Sequence, residues 1–194
     1  MFILLWSSAF ITTKPIVDNS DPFSALAFRF FFVAVGFYLF SLYSKNSIII
    51  SKKNLLESIF SGVLFHGFYL GGVFFSISIG MPAGIAALIV TLQPILTNIL
   101  SGPLLNEKIS FKQWVGAILG FFGATLVLGL DLGSDIPTYG LLATIIALIS
   151  ITSSTIWQKK LSNNLPLSVS NFYQALGGCL FHILIVIIFV EPFI

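Results

Sequence analysis

"SIFSGVLFHGFYLGGVFFSISIGMPAGIAALIVTLQPILTNILSGPLLN", residues 58–106, contains no charged side chain. A helix that crosses a bilayer needs about 20 apolar residues. The stretch is therefore too long for one span and right for two. "GMPAG" at 80–84 supplies the division, because Pro82 and its flanking glycines cannot continue a helix cheaply. Both halves are apolar all round, without the alternation of a barrel strand. Backbone groups in hydrocarbon must satisfy one another, so runs of this kind mean helices.

Outward from this pair, charges and turn residues cut the chain into seven helix-length blocks: 1–17, 23–43, 56–79, 83–105, 111–130, 138–158 and 168–190. The composition agrees. Of 194 residues, 57% are hydrophobic and 8% charged, where a soluble domain carries about 25% charge. Mean hydropathy is +1.03. The reading is an all-α integral membrane protein of seven transmembrane helices. The first block is short for a span and looks clipped. It begins at Met1 with no basic segment before it, so a removable signal peptide is not expected. A net charge of +2, with no basic cluster interleaved with aromatics, gives nucleic acid no purchase. The single cysteine, Cys179, rules out a disulfide framework and a CxxC metal site. No cofactor or metal is expected.

The connections orient the chain. Lys45, Lys52, Lys53, Lys108, Lys112, Lys159 and Lys160 follow the second, fourth and sixth blocks. The alternate connections, 18–22, 80–84 and 131–137, hold no Lys or Arg, and contain Asp18, Asp21, Asp131 and Asp135. The positive-inside rule places the lysine-bearing side in the cytoplasm. The amino terminus is then inside and the carboxyl terminus outside, in the cytoplasmic (inner) membrane.

A shift of 144 residues lays Lys14, Pro22, Ser24, Phe28 and Arg29 over Gln158, Pro166, Ser168, Phe172 and Tyr173. Identities are few, but the offset is five helices, an odd number, so the second copy would be inverted. Inverted repeats mark secondary transporters, with the substrate site between them near mid-membrane. Chance alignment of two apolar hairpins is the competing account.

"LWSSAFITTKPIV" and "DPFSALAFRFFFVAV" at the start resemble the drug/metabolite transporter superfamily, specifically its EamA-type members. So does "GMPAGIAALIVTLQPILTNILSGPLLNEKISFKQWVGAILGFFGATLVL" further on. The carrying features are a Trp-Ser start with a lysine near the end of the first helix, and Pro-x6-Arg-Phe opening the second. A proline in the fourth helix precedes a glutamate at its end, and the fifth is glycine-rich. The resemblance covers essentially the whole chain. It implies ten helices in two inverted five-helix repeats that move small metabolites, often outward. Here residues 1–130 make one repeat and 138–194 only the first two helices of a second. The last three helices are missing from this pattern. The chain is then expected to be a fragment of a gene, or a variant that needs a homo-oligomer or a complementing membrane chain.

Candidate site residues each carry a functional and a plain reading. Arg29 lies six residues into its helix, about 9 Å deep at 1.5 Å per residue, with Lys14 at a similar level. Both could snorkel to headgroups or pair with Asp18 and Asp21, or face a water-filled cavity and meet an anionic, carboxylate-bearing substrate. The resemblance implies a cavity role for Lys14, a supporting role for Arg29 in packing the first two helices, and a place near the cavity mouth for Trp6. His66 and Tyr69, three apart, share a helix face. His66 could carry protons or simply bond a carbonyl. Gly67 and Gly71 form GxxxG, a close-packing signal. Pro94 removes a backbone hydrogen bond and makes a hinge, with Gln93, Thr91, Thr97 and Asn98 lining it or serving as helix–helix glue. Gly116, Gly120 and Gly123 read as a packing face. Glu107 is expected in a local pair with Lys108, and Trp114 and Trp157 as interface anchors.

The functional expectation is a secondary transporter of small metabolites, working by alternating access, with the bilayer as its environment. The alternative is a truncated or partner-dependent subunit without transport of its own. No Walker A string supports ATP drive. An intramembrane protease lacks the G-x-S-x-G setting, and a retinal protein would need a lysine in the last helix, where none occurs. An enzyme is not expected.

Overall fold

The computed structural model of the chain describes residues 12–128, 136–161 and 165–189. Among these residues the protein is helical, without strands. Helix α1 is described over 12–19. It is followed by α2 (Pro22–Tyr43), α3 (Lys52–Ser78), α4 (Ala83–Leu105), α5 (Phe111–Leu128), α6 (Thr138–Leu161) and α7 (Leu167–Phe189). Five of these, α2, α3, α4, α6 and α7, are long and apolar enough to cross a membrane. Their outer faces carry large apolar side chains such as Phe28, Phe32, Ile99 and Ile187, a surface that suits hydrocarbon and not water.

Local chemistry sets the ends. Asp21 caps α2, its carboxylate accepting the Ser24 N–H at 2.6 Å, with Pro22 in the first turn. Ser51 caps α3 through the Asn54 N–H at 3.2 Å, so α3 begins at Lys52 and not at 56. Hydropathy marks only the apolar part of a helix, and the capped turn with Lys52 and Lys53 remains helical beyond it. At the other end Gly80 takes φ +96, a left-handed backbone that glycine adopts freely, and Pro82 stands at the N-cap of α4. Asn106, also left-handed at φ 54, closes α4. The 80–84 division therefore lies where the charge-free stretch places it.

Across the bundle the helices run α2, α7, α3, α6, α4, α5. Helix α3 is central, with α7 on one side and α6 on the other. Two apolar clusters fill the interior. Leu26, Phe30 and Ala34, four apart on α2, meet Phe74 of α3 and Ala175 and Cys179 of α7, with Ile16 and Val17 of α1 against them. Tyr69, Val73 and Ile77, four apart on α3, meet Ala86 and Val90 of α4 and Ala147 and Ile151 of α6.

Glycines let the central helices approach. A Cβ on Gly62 would lie 2.1 Å from the Gln174 carbonyl oxygen, and one on Gly177 2.7 Å from that of Ile59. Gly67 and Gly71 of the GxxxG pair face Phe181 and His182 of α7, as close packing requires. Helix α5 differs. Gly116, Gly120 and Gly123 have no other atom within 4 Å of an added Cβ, so the packing expected of them is not made within the described residues. Among the described residues helix α5 packs chiefly against α4, and the glycines lie off that contact.

Candidate functional site

Helix α4 breaks where expected. The α-helix Ala83–Val90 stops at a turn over Thr91 and Leu92 and resumes at Gln93. Pro94 has no N–H to give the preceding turn. The Leu92 N–H turns back to the Ile89 carbonyl at 3.1 Å, and Thr91 Oγ1 donates to the Leu88 carbonyl at 2.6 Å. Gln93 Nε2 donates to Thr155 Oγ1 at 2.9 Å and ties the break to α6. Asn98 Nδ2 reaches the Gln113 carbonyl of α5 at 3.5 Å. The two amides thus leave α4 toward different neighbours.

Helix α3 is wound as a π-helix over Val63–Leu70, the i→i+5 form that recurs at functional sites. Its wider winding separates His66 from Tyr69. Tyr69 is buried in the α3–α4–α6 cluster. His66 faces the other way, its ring 4.3 Å from that of Phe30 on α2 and its Cβ close to Gly178 of α7. The shared face expected of the two is corrected by that local winding.

Lys14 pairs with Asp18 at 3.6 Å, with 70% and 54% of the two side chains exposed. Asp21 is occupied as the α2 cap. Arg29 is exposed, makes no ion pair among the described residues, and rests its guanidinium 5.8 Å from the centroid of the Phe30 ring. Trp6 lies outside the described residues. The structure thus brings Arg29 and His66 about the ring of Phe30, and leaves Lys14, Tyr69, Gln93 and Asn98 on separate contacts. A groove of about 360 Å³ opens between α2 and α7, lined by Ser24, Phe28, Phe31, Cys179 and Ile183 among others. None of the predicted site residues lines it. Among the described residues no three metal-ligating side chains gather.

The most connected polar feature escaped sequence reading. Ser154 Oγ donates to the Ser61 carbonyl at 3.1 Å. Gln158 Nε2 donates to Ser154 Oγ at 3.3 Å and to Gln174 Oε1 at 3.0 Å, and Gln174 Nε2 donates to Ser170 Oγ at 2.9 Å. This chain sews α3, α6 and α7 together toward the lysine-bearing end. There Asn46 Nδ2 also donates to Ser168 Oγ at 3.1 Å, and the Tyr173 hydroxyl to the Ile48 carbonyl at 2.7 Å. Glu107 pairs across helices with Lys159, not with its neighbour Lys108, because the turn after α4 lies beside the end of α6. The signal was the density of Ser, Thr and Gln in "SITSSTIWQ" (150–158) and "SVSNFYQ" (168–174).

Comparison with known proteins bears on this bundle directly. Residues 1–129 match the EamA-like transporter family. The chain is 27% identical over 165 residues to a probable amino-acid metabolite efflux pump of Escherichia coli (strain K12), covering 84% of this chain and 53% of that protein. It is 29% identical over 164 residues to the protein PecM of Dickeya dadantii (strain 3937), covering 80% and 50%. It is 26% identical over 182 residues to an uncharacterized transporter of Archaeoglobus fulgidus, covering 91% and 62%. The chain spans about half the length of the curated relatives it matches. No solved structure matches it. With α1 to α5 inside a family match that spans more than half of the chain, the chain belongs to the EamA-like transporter family.

Proposed function

We propose that the chain forms part of a secondary transporter that exports small metabolites across the cytoplasmic membrane by alternating access. The moving units are the repeat at 1–130 and the partial inverted repeat at 138–194. The observation that carries this reading is the polar seam of Ser61, Ser154, Gln158 and Gln174. It joins α3 of the first unit to α6 and α7 of the second toward the lysine-bearing end. Hydrogen bonds of this kind between helices are worth roughly 0.6 kcal/mol each in a bilayer, so they can break and re-form within a transport cycle. The broken α4, tied to α6 by Gln93, is the hinge beside that seam. The lysine-bearing end is the cytoplasmic one, and the seam closes the path from that side. Lys14 meets the carboxylate of the substrate after leaving Asp18, and Arg29 supports the packing of α1 and α2. The proposed activity is the movement of a solute, without a bond-making step.

The name of the Escherichia coli relative makes amino acids and their analogues the first substrates to try. Cells expressing the chain should accumulate less of a radiolabelled substrate and survive toxic analogues better than cells carrying Gln158→Leu. Equal accumulation and equal survival across the whole panel would refute transport by this chain.

A second reading is a subunit that transports only with a complementing membrane chain or a second copy. The open glycine face of α5 favours it. Mass measurement in native nanodiscs separates the two, since a functional monomer would exclude the second.

A further inference from the structure

The chain has two histidines, and the fold brings both to the seam between α3 and α7. His182 is fully buried. Its Nε2 lies 2.9 Å from the His66 carbonyl oxygen. A carbonyl only accepts, so Nε2 carries the proton and Nδ1 holds the lone pair. That Nδ1 is buried without a hydrogen-bond partner, and so is Nδ1 of His66. Buried polar atoms are rarely left this way, and each calls for a reason.

The surroundings are built for the rings. Phe30 faces both, at 4.3 Å from His66 and 6.0 Å from His182, the latter nearly parallel. Gly178 and Gly71 clear the backbone: a Cβ would lie 2.4 Å from His66 Cβ and 3.0 Å from His182 Cε1 respectively. The accepting carbonyl belongs to the π-wound turn of α3.

We propose that the His66–His182 pair is a proton-binding site that locks α3 to α7 when empty and releases them when filled. A proton taken up at His182 Nδ1 makes an N–H that has no acceptor in this packing. The imidazolium keeps its Nε2–H, so both ring nitrogens then need acceptors. The charged ring is held by the face of Phe30 but needs water or a carbonyl at Nδ1, which requires α7 to shift from α3. The proton therefore binds better to the open arrangement and draws the population toward it. The ionisable groups that act on the pair come from α2: Arg29 on His66 and Asp21 on His182. Tyr69 of α3 is turned to the α4 and α6 side, Cys179 of α7 donates to the Ala27 carbonyl, and Lys14 and Asp18 of α1 pair with each other at an exposed position. This deepens the transporter reading by naming what drives the cycle, and it is tested without transport.

Two histidines give only four ring nitrogens, so nitrogen-15 histidine NMR of the chain in lipid nanodiscs resolves each. At pH 8 His182 should show a neutral ring protonated at Nε2. On acidification the ring should become imidazolium. Amide exchange of Val63–Leu70, corrected for its intrinsic pH trend, should rise with it by about tenfold for a linkage of one pH unit. His182→Gln, which can still donate to the His66 carbonyl, should remove the pH dependence of that exchange. The wild-type titration alone decides the matter should the variant fail to fold. A His182 ring that stays neutral to pH 4.5 overturns the proposal, and so does one that titrates with no change in α3 exchange. Either result leaves the transport reading standing on its own test.

Discussion

Replacing Gly62 by alanine tests the packing on which the bundle rests. The added Cβ would meet the Gln174 carbonyl oxygen at 2.1 Å and Gln174 Cα at 2.5 Å, against a floor near 3.0 Å for real contacts. Both obstacles are backbone, so no rotamer change relieves them, and α3 must move away from α7. Overpacking of this sort costs about 1–3 kcal/mol. The same movement stretches the Gln158–Gln174 bond, adding roughly 0.6 kcal/mol, while the better helix propensity of alanine returns up to about 1 kcal/mol. The net loss of about 1–3 kcal/mol corresponds to a roughly 5- to 150-fold increase in the opened population. Cys179, the single cysteine, is 5% exposed between α2 and α7 and reports that opening to a thiol-reactive dye. The assay is the rate and thermal midpoint of Cys179 labelling in detergent. Gly116→Ala, Gly120→Ala and Gly123→Ala are the controls, because no atom lies within 4 Å of the new methyl; they should hold or raise the midpoint. Wild-type labelling of Gly62→Ala would refute the close approach of α3 and α7.

Lys14→Ala should leave insertion intact and change stability by no more than about 0.2–1 kcal/mol, since the Lys14–Asp18 pair is exposed and such pairs are weak. It should reduce flux in a transport-competent assembly, and unchanged flux would return Lys14 to a headgroup-facing role. A double-mutant cycle of Gln158→Leu and Gln174→Leu should show a coupling of about 0.6–1.7 kcal/mol in the same dye assay; additive effects would mean the seam is not a direct contact. Single cysteines placed at Ile48 and Ser134 in a Cys179→Ser background should label from opposite faces of the membrane. Labelling of both from one face would break the seven-helix threading.

Much of the architecture was legible because hydropathy and helix length act locally. The charge-free run at 58–106, the glycine–proline break and the alternation of lysines and aspartates place the helices to within a few residues. The start of α3 was missed by four, since Ser51 caps a polar turn that hydropathy does not see. The α4 break was legible at Pro94, because a missing N–H is a property of the residue itself. The site was legible only in part. His66 and Tyr69 were read with an α-helical period, and the π-winding turns them to opposite neighbours. His182, Gln158 and Gln174 gave no chemical pattern along the chain, because each finds its partner on another helix.

The residues alone thus determined a membrane-threading helical chain, with its turns and its charge asymmetry, because burial in hydrocarbon constrains every stretch independently of the others. Only the tertiary structure decided that α3 lies between α6 and α7, that the α5 glycines face no neighbour among the described residues, and that two histidines meet. Those outcomes depend on which helix faces meet at the distance of a missing Cβ, and no single helix carries that information.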